Sequence, residues 1–336
     1  MTQMIKKITY PRVGFLGNPS DGFGGKTISF TFKNFQAEIV LWQSRELKFL
    51  PNIEDQDEFS SVVDLYKNTQ SQGYYGGIRL IKAAISVFYR YCQKNKIKLD
   101  KKNFTITYRS NIPQQRGLAG SSAIIISTLN ALIDFYNLNK IDPAVLANLA
   151  LEAEVKELQI AAGLQDRVVQ SYNQPVFMDF SADAFKKNNG LYGEYKTFSS
   201  GLLPSMAVVM APVMSESGKV HSDVRNRFDS GDLEVIEAMS EFATFAEAGF
   251  LALKSKDLKG IGKLVNANFD LRRKIYGDKV VGSENIKMIE MIRSLGGAAK
   301  FTGSGGAALL VAPENKIEKI CQKLNLNGYQ AERIIL

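Results

Sequence analysis

The period of apolar and polar positions changes along this chain, and the changes mark its elements. Arg12-Val13-Gly14-Phe15-Leu16 is a short apolar run of the kind a fully buried strand shows. Thr27 to Thr31 and Gln36 to Trp42 read as further strands, with a turn at Asn34 between them. Gly73 to Gly77 opens a helix whose stripe is Ile78, Ile81, Ile85, Phe88 and Cys92, a helical spacing. Phe104 to Ser110 alternates as a strand. A loop from Pro113 then runs into an apolar helix ending near Tyr136, and Asp142 with Pro143 starts another that reaches about Leu158.

Beyond a strand at Pro175 to Asp179, residues 181 to 204 are polar and weakly patterned, so the boundary between two domains, 1–195 and 200–336, is placed there. The second half reads as a strand at Met206 to Met210 and helices at Asp232 to Lys254, Asp257 to Ile275 and Ser283 to Leu295. Strand, glycine loop and strand follow over Ala299 to Val311, then a helix from Glu314 to Lys323 and a strand from Gln330 to Ile335. Strands and helices interleave without regular βαβ alternation, which predicts an α+β fold.

Composition narrows the function classes. At 336 residues with 45% hydrophobic and 23% charged residues, the chain has the make-up of a globular protein holding more than one domain. No apolar run is long enough to span a bilayer, and the N-terminus lacks a signal-peptide core, so a cytoplasmic protein is expected. Two cysteines, Cys92 and Cys321, lie in apolar helical patterns and read as free thiols; a single histidine argues against a histidine metal site. The net charge of +8 is scattered, so nucleic acid is not the expected partner; an anionic small molecule suits it better.

The densest chemistry lies in Pro113 to Ala123, PQQRGLAGSSA. Gly117 and Gly120 let backbone approach a ligand closely. Ser121 is a natural N-cap, and the free N–H groups of the following turn, with the positive end of the helix, suit a phosphate. Ser122 adds a hydroxyl for a phosphate or a metal ion. An ordinary capped helix would show the same residues. The loop is neither a Walker A loop nor a dinucleotide fingerprint. Asp166 follows a glycine turn at the start of a helix, where a capping acid is also common.

The pattern P-x-x-x-G-L-x-G-S-S-A resembles the second motif of the GHMP kinases, and two further segments fit that family in order. Arg12 leads a strand ending Leu16-Gly17-Asn18-Pro19-Ser20-Asp21, and Lys300 to Ala307 reads KFTGSGGA. The resemblance implies a two-domain fold, the N-terminal part like domain 2 of ribosomal protein S5 and the C-terminal part a ferredoxin-like α/β sandwich. It implies ATP and Mg²⁺ as cofactors. The nucleotide falls on Gly117, Leu118, Ala119, Gly120, Ser121, Ser122 and Ala123, and the metal on Ser122 and Glu154, with Glu152 and Glu157 as neighbours that leave the register open. Asp166 would stand beside the acceptor hydroxyl, with Arg12 close to it. Asn18, Ser20 and Asp21 would meet the substrate, although Asn18-Pro19 replaces the family's usual Glu-His. Gly303, Ser304 and Gly305 would also meet the substrate.

Further segments, among them GYYGGIRLIKA, SGKVHSDVRNRF and FDLRRKIYGD, resemble the glucuronokinase branch of that family. That branch implies phosphorylation of D-glucuronate at C1; a heptose 7-phosphate 1-kinase and a non-catalytic sugar sensor are the alternatives. A sugar acid needs a cation or donors at its carboxylate, for which Arg225 is the candidate, with Tyr75 as a pocket wall. The chain is expected as a monomer or homodimer.

Overall fold

A computed structural model describes residues 4–52, 55, 60–63, 76–212 and 221–336. The chain forms two compact units that interleave in sequence. One holds Met1–Pro11, Phe35–Gln114 and Ala119–Ser171; the other holds Arg12–Asn34, Gln115–Leu118 and Tyr172–Leu336.

The first unit is built on a four-stranded sheet in the order β1-β4-β6-β5, formed by Met4–Thr9, Ala37–Ser44, Asn103–Ser110 and Lys48–Leu50. The strict alternation of β4 buries Ala37, Ile39 and Leu41 on one face, and β1 and β6 flank it antiparallel, with Ile39 opposite Lys7 and Tyr108. The helix Gly77–Lys94 begins where its first N–H donates to the Tyr108 hydroxyl at 3.0 Å. Helix Gly120–Phe135 is apolar nearly all round and is a core helix. Its buried hydroxyls are satisfied: Ser127 donates to Thr9 Oγ1 and Thr128 to Ile124 O. Asp142 caps helix Pro143–Glu152 by accepting from Ala144 N at 2.8 Å, as its sequence predicts.

The second unit contains two antiparallel sheets. Strands β2 (Arg12–Leu16), β3 (Lys26–Thr31), β7 (Val176–Asp179) and β8 (Glu194–Thr197) follow one another in one of them. The other has the order β10-β11-β9-β12, from Ala298–Phe301, Ala307–Val311, Met206–Met210 and Gln330–Arg333. Every residue of β2, β9, β10 and β11 is buried, which explains the uninterrupted apolar runs of β9 and β11, while β2 and β10 each bury one cation, Arg12 and Lys300. Helices Leu233–Ser255, Leu258–Tyr276, Ser283–Ser294 and Glu314–Leu326 supply the rest of a core centred on Phe242, Phe269, Ile289, Phe301 and Leu310. Helix Leu233–Ser255 lies so close to β2 and β3 that a Cβ at Gly249 would enter Leu16.

The polar stretch 181 to 204 carries more structure than its pattern predicts. Ser181 caps a short helix, Ala182–Lys187, and β8 pairs along β7. No residue of β8 is buried, so no apolar face betrayed it. Among the described residues no helix is long and apolar enough to cross a membrane.

Candidate active site

In the first unit helix Gly120–Phe135, Glu154, Arg167 and Asp166 are joined by hydrogen bonds and ion pairs. The helix starts at Gly120 with Ala119 as its N-cap residue, held left-handed at φ 64° and ψ 45°, and no side chain caps it. The expected cap, Ser121, instead sits in the first turn and donates to Glu154 Oε1 at 2.6 Å. The turn's N–H groups therefore keep no side-chain acceptor of their own, which is what an anion there needs. A left-handed alanine is an unusual conformation held by its surroundings, and with Gln115 and Gly117 it makes every second residue of this loop positive in φ.

Glu154 is completely buried. Its partner is Arg167, whose Nε donates to Oε2 at 2.5 Å and whose Nη2 reaches the same oxygen. Arg167 Nη1 donates to Gly163 O at 2.8 Å and stands 3.4 Å from Asp166 Oδ2, so one guanidinium addresses both acids. The three neighbouring glutamates are sorted by a single π-helical turn, Ala153–Glu157. Residues five apart align on such a turn, and Glu152 and Glu157 both pair with Arg90 at the surface while Glu154 turns inward. Ser122 is not drawn to Glu154: its hydroxyl donates to Gln170 Oε1 at 2.6 Å, and Gln170 Nε2 donates to Tyr10 O and Ala119 O. Ala123 is buried, with its N–H on Ala119 O. Asp166 lies in the first turn of helix Leu164–Tyr172 and keeps part of its side chain open to solvent.

In the second unit Arg12 is a buried clamp. Its Nη1 donates to Gly117 O at 2.5 Å and Thr302 O at 3.2 Å, and its backbone N–H donates to Leu118 O. Loop 303–306 packs against the same segment. A Cβ at Gly303 would lie 2.7 Å from Arg12 Nη1, and one at Gly117 (φ +60°) would lie 2.9 Å from Ser304 N; both positions require glycine. Gly305 has φ 137° and is buried, and Gly306 N–H donates to Asn285 Oδ1.

Behind this loop lie residues that pattern reading had not singled out for chemistry. Arg272, on helix Leu258–Tyr276, donates to Gly303 O at 2.9 Å and Ser304 O at 3.2 Å. Lys300 donates to Gly14 O at 2.8 Å, Asn18 Oδ1 at 2.6 Å and Phe301 O at 2.8 Å. Burial pushes Lys300 well below its ordinary pKa, and the Arg272 and Arg12 charges push the same way; burial lowers Arg272 too. Asn268 ties down the first-motif loop by donating to Asn18 O and accepting from Gly17 N–H. Of the predicted substrate contacts, the Ser20 hydroxyl is turned inward onto Lys26 O. Asp21 is half-buried on the 3₁₀ turn Ser20–Phe23. Arg225 stacks on Phe23 at 4.2 Å, bonds Gly22 O and stands 3.7 Å from Asp229. Tyr75 lies outside the described residues.

The donor set suits a magnesium ion that arrives with a nucleotide. Among the described residues no three acidic, histidine or cysteine side chains gather as a metal site. Glu154 and Ser121 together offer hard oxygens, and Mg²⁺ commonly takes one or two protein oxygens with phosphate oxygens and water. A carboxylate has about four lone-pair sites. Three are used here, by Ser121 and the two Arg167 donors, which leaves one on Oε1.

Comparison with known proteins places the chain in a family. Residues 79–174 match the model of the GHMP kinases N-terminal domain, and residues 250–330 that of the GHMP kinases C-terminal domain. Glucuronokinase 1 of Arabidopsis thaliana is 45% identical over 96% of this chain and 90% of its own length. Probable glucuronokinase 2 of the same plant is 47% identical over 98% and 90%. Among solved structures, mevalonate kinase of Methanococcus jannaschii superimposes with TM-score 0.72 at 19% identity, covering 100% of this chain and 98% of that one. Lactococcus lactis galactokinase, complexed with galactose, gives 0.75 at 15% identity over 99% and 94%. The sugar-kinase and mevalonate-kinase structures share the fold, and the sequence relatives the lineage: the chain belongs to the GHMP kinases and stands among them with the glucuronokinases.

Proposed function

We propose that this protein is an ATP- and Mg²⁺-dependent kinase that phosphorylates D-glucuronate at its anomeric C1 hydroxyl, giving D-glucuronate 1-phosphate and ADP. The observation that carries the reading is identity of 45% and 47%, across nearly the whole chain, to two proteins named as glucuronokinases.

In this reading Asp166 accepts the proton of the C1 hydroxyl as its oxygen attacks the γ-phosphorus, and orients that hydroxyl beforehand. Arg167 holds the neighbouring Glu154 in place and stands 3.4 Å from Asp166. The open N–H groups at Gly120, Ser121 and Ser122 receive nucleotide phosphate oxygens, and Arg12 offsets charge on the transferring group. Mg²⁺, when bound with ATP, neutralises phosphate charge, and Glu154 with Ser121 would hold it. Loop 303–306 and Asp21 frame the sugar. Residues 1–195 and 200–336 serve as the family's N- and C-terminal domains in a cytoplasmic enzyme.

The test is ADP release from purified protein with ATP and Mg²⁺, offered glucuronate, galacturonate, galactose, heptose 7-phosphate and mevalonate in turn. Turnover is expected with glucuronate. Turnover with another acceptor and none with glucuronate would refute the proposal.

A further inference from the structure

We infer that Arg272 receives the anionic carboxylate of the acceptor sugar, in a subsite where Lys300 supplies a second positive charge and sets the orientation of Asn18. The inference rests on the sugar-acid kinase reading and adds the group that selects the acid.

Arg272 is almost fully buried, with its guanidinium 5.1 Å from the Tyr276 ring centre and 5.3 Å from that of Phe301. Two of its five N–H donors go to the carbonyls of Gly303 and Ser304, and among the described residues no carboxylate forms an ion pair with it. Lys300 is equally buried and also lacks a carboxylate partner among those residues; carbonyl-type oxygens alone receive it. The negative charge of Asp21 opposes the lowering of both pKa values that burial causes. Two desolvated cations that meet no carboxylate among the described residues leave positive charge unanswered there, an arrangement that disfavours the empty protein and favours an anion. Arg225 is a weaker host, because it is half exposed and already answered by Asp229 and Phe23.

The donor inventory divides the two roles. Arg272 retains three N–H groups, enough for the two-point contact that a guanidinium makes with a carboxylate. Lys300 has three donors and three acceptors, so it has none left for substrate and acts as a positioning residue. An ammonium can face only the oxygen end of an amide. Asn18 therefore holds Oδ1 toward Lys300, which leaves its Nδ2 donors for a ligand oxygen.

The experiment compares glucuronate with glucose, its neutral CH₂OH counterpart, and with glucuronamide. Binding is followed by calorimetry without nucleotide, and KM and kcat with ATP. For the wild type, glucuronate is expected to bind about a hundredfold more tightly than either neutral sugar, as a charge-assisted two-point contact allows. Arg272→Met should remove most of that preference while changing glucose binding less than about threefold, and Arg272→Lys should restore part of it. Lys300→Met should raise KM for glucuronate more than it lowers kcat.

Equal losses on glucuronate and glucose would overturn the inference, making Arg272 only a support for loop 303–306. Equal wild-type affinity for glucuronate and glucuronamide would overturn it without any variant, so it stays testable if the variants fail to fold. If the wild type neither binds nor turns over glucuronate, the proposed function falls and this inference with it. Wild-type turnover of glucuronate with unselective variants would sink the inference alone.

Discussion

Glu154 in the first unit and Lys300 in the second are both shut away from solvent, yet their surroundings differ in kind. Glu154 has its own counter-ion, since Arg167 holds one oxygen with two donors and Ser121 holds the other. Lys300 and the nearby Arg272 are received by carbonyls and an amide, and neither meets a carboxylate among the described residues. A buried charge that carries its partner serves to fix geometry. One that lacks it creates a demand that a ligand can fill. The contrast separates a cluster whose buried acid is already paired from one whose buried cations meet only carbonyl-type oxygens among the described residues.

The sharpest cut through the first cluster is Asp166→Asn, which keeps the Glu154–Arg167 pair but removes the carboxylate proposed to accept the proton. It should lower kcat by about 10²–10⁴ with ATP affinity nearly unchanged, as single-turnover kinetics and nucleotide binding would reveal. Near-normal turnover would take Asp166 out of the mechanism. Glu154→Gln should be the most costly change for stability, about 3–5 kcal/mol by denaturant unfolding, because it removes the buried negative charge that two donors of Arg167 address. Lys300→Met should cost clearly less; an equal loss would erase the distinction between the two clusters.

Proton linkage sharpens the same distinction. Folding lowers the pKa of Lys300, so in the window between its folded value and about 10.5 the unfolded chain holds more protons than the native one. Wild-type stability should therefore rise with pH in that window relative to Lys300→Met, by at most about 1.4 kcal/mol per pH unit. A flat difference between the two unfolding curves would mean that Lys300 stays protonated throughout. The smallest effect belongs to Arg90→Ala, which frees the exposed Glu152 and Glu157 and should shift stability by no more than about 1 kcal/mol, leaving kcat as it was.

Much of the fold was legible because most elements advertise themselves locally. The buried strand from Arg12 to Leu16, the Asp142-Pro143 helix start and the Lys300 to Ala307 loop all carry composition that local physics reads directly. Strand β8 was hidden by its lack of an apolar face. In the site, loop glycines were visible, while the partner choices were not. Nothing in Ser121-Ser122 says which hydroxyl meets Glu154; that depends on Gln170, far along the chain, claiming Ser122. The identity of the inward glutamate was equally hidden, because an α-helical wheel does not describe a π turn. Arg167 was adjacent to Asp166 in plain view, and Arg272 lies in a segment already noticed, but long-range packing alone gives each its partner.

The interleaving of the two units bears on how the protein can be dissected. The chain passes from one to the other after Pro11, Asn34, Gln114, Leu118 and Ser171. No single cut of the gene yields either unit as one polypeptide. A fragment ending near residue 195 would make β2, β3 and β7 without the helix Leu233–Ser255 that covers β2 and β3. Its uncovered apolar sheet would favour aggregation over folding. Complementation from two co-expressed halves, or a circular permutant opened in an exposed turn, is the route by which the parts of this kinase can be studied separately.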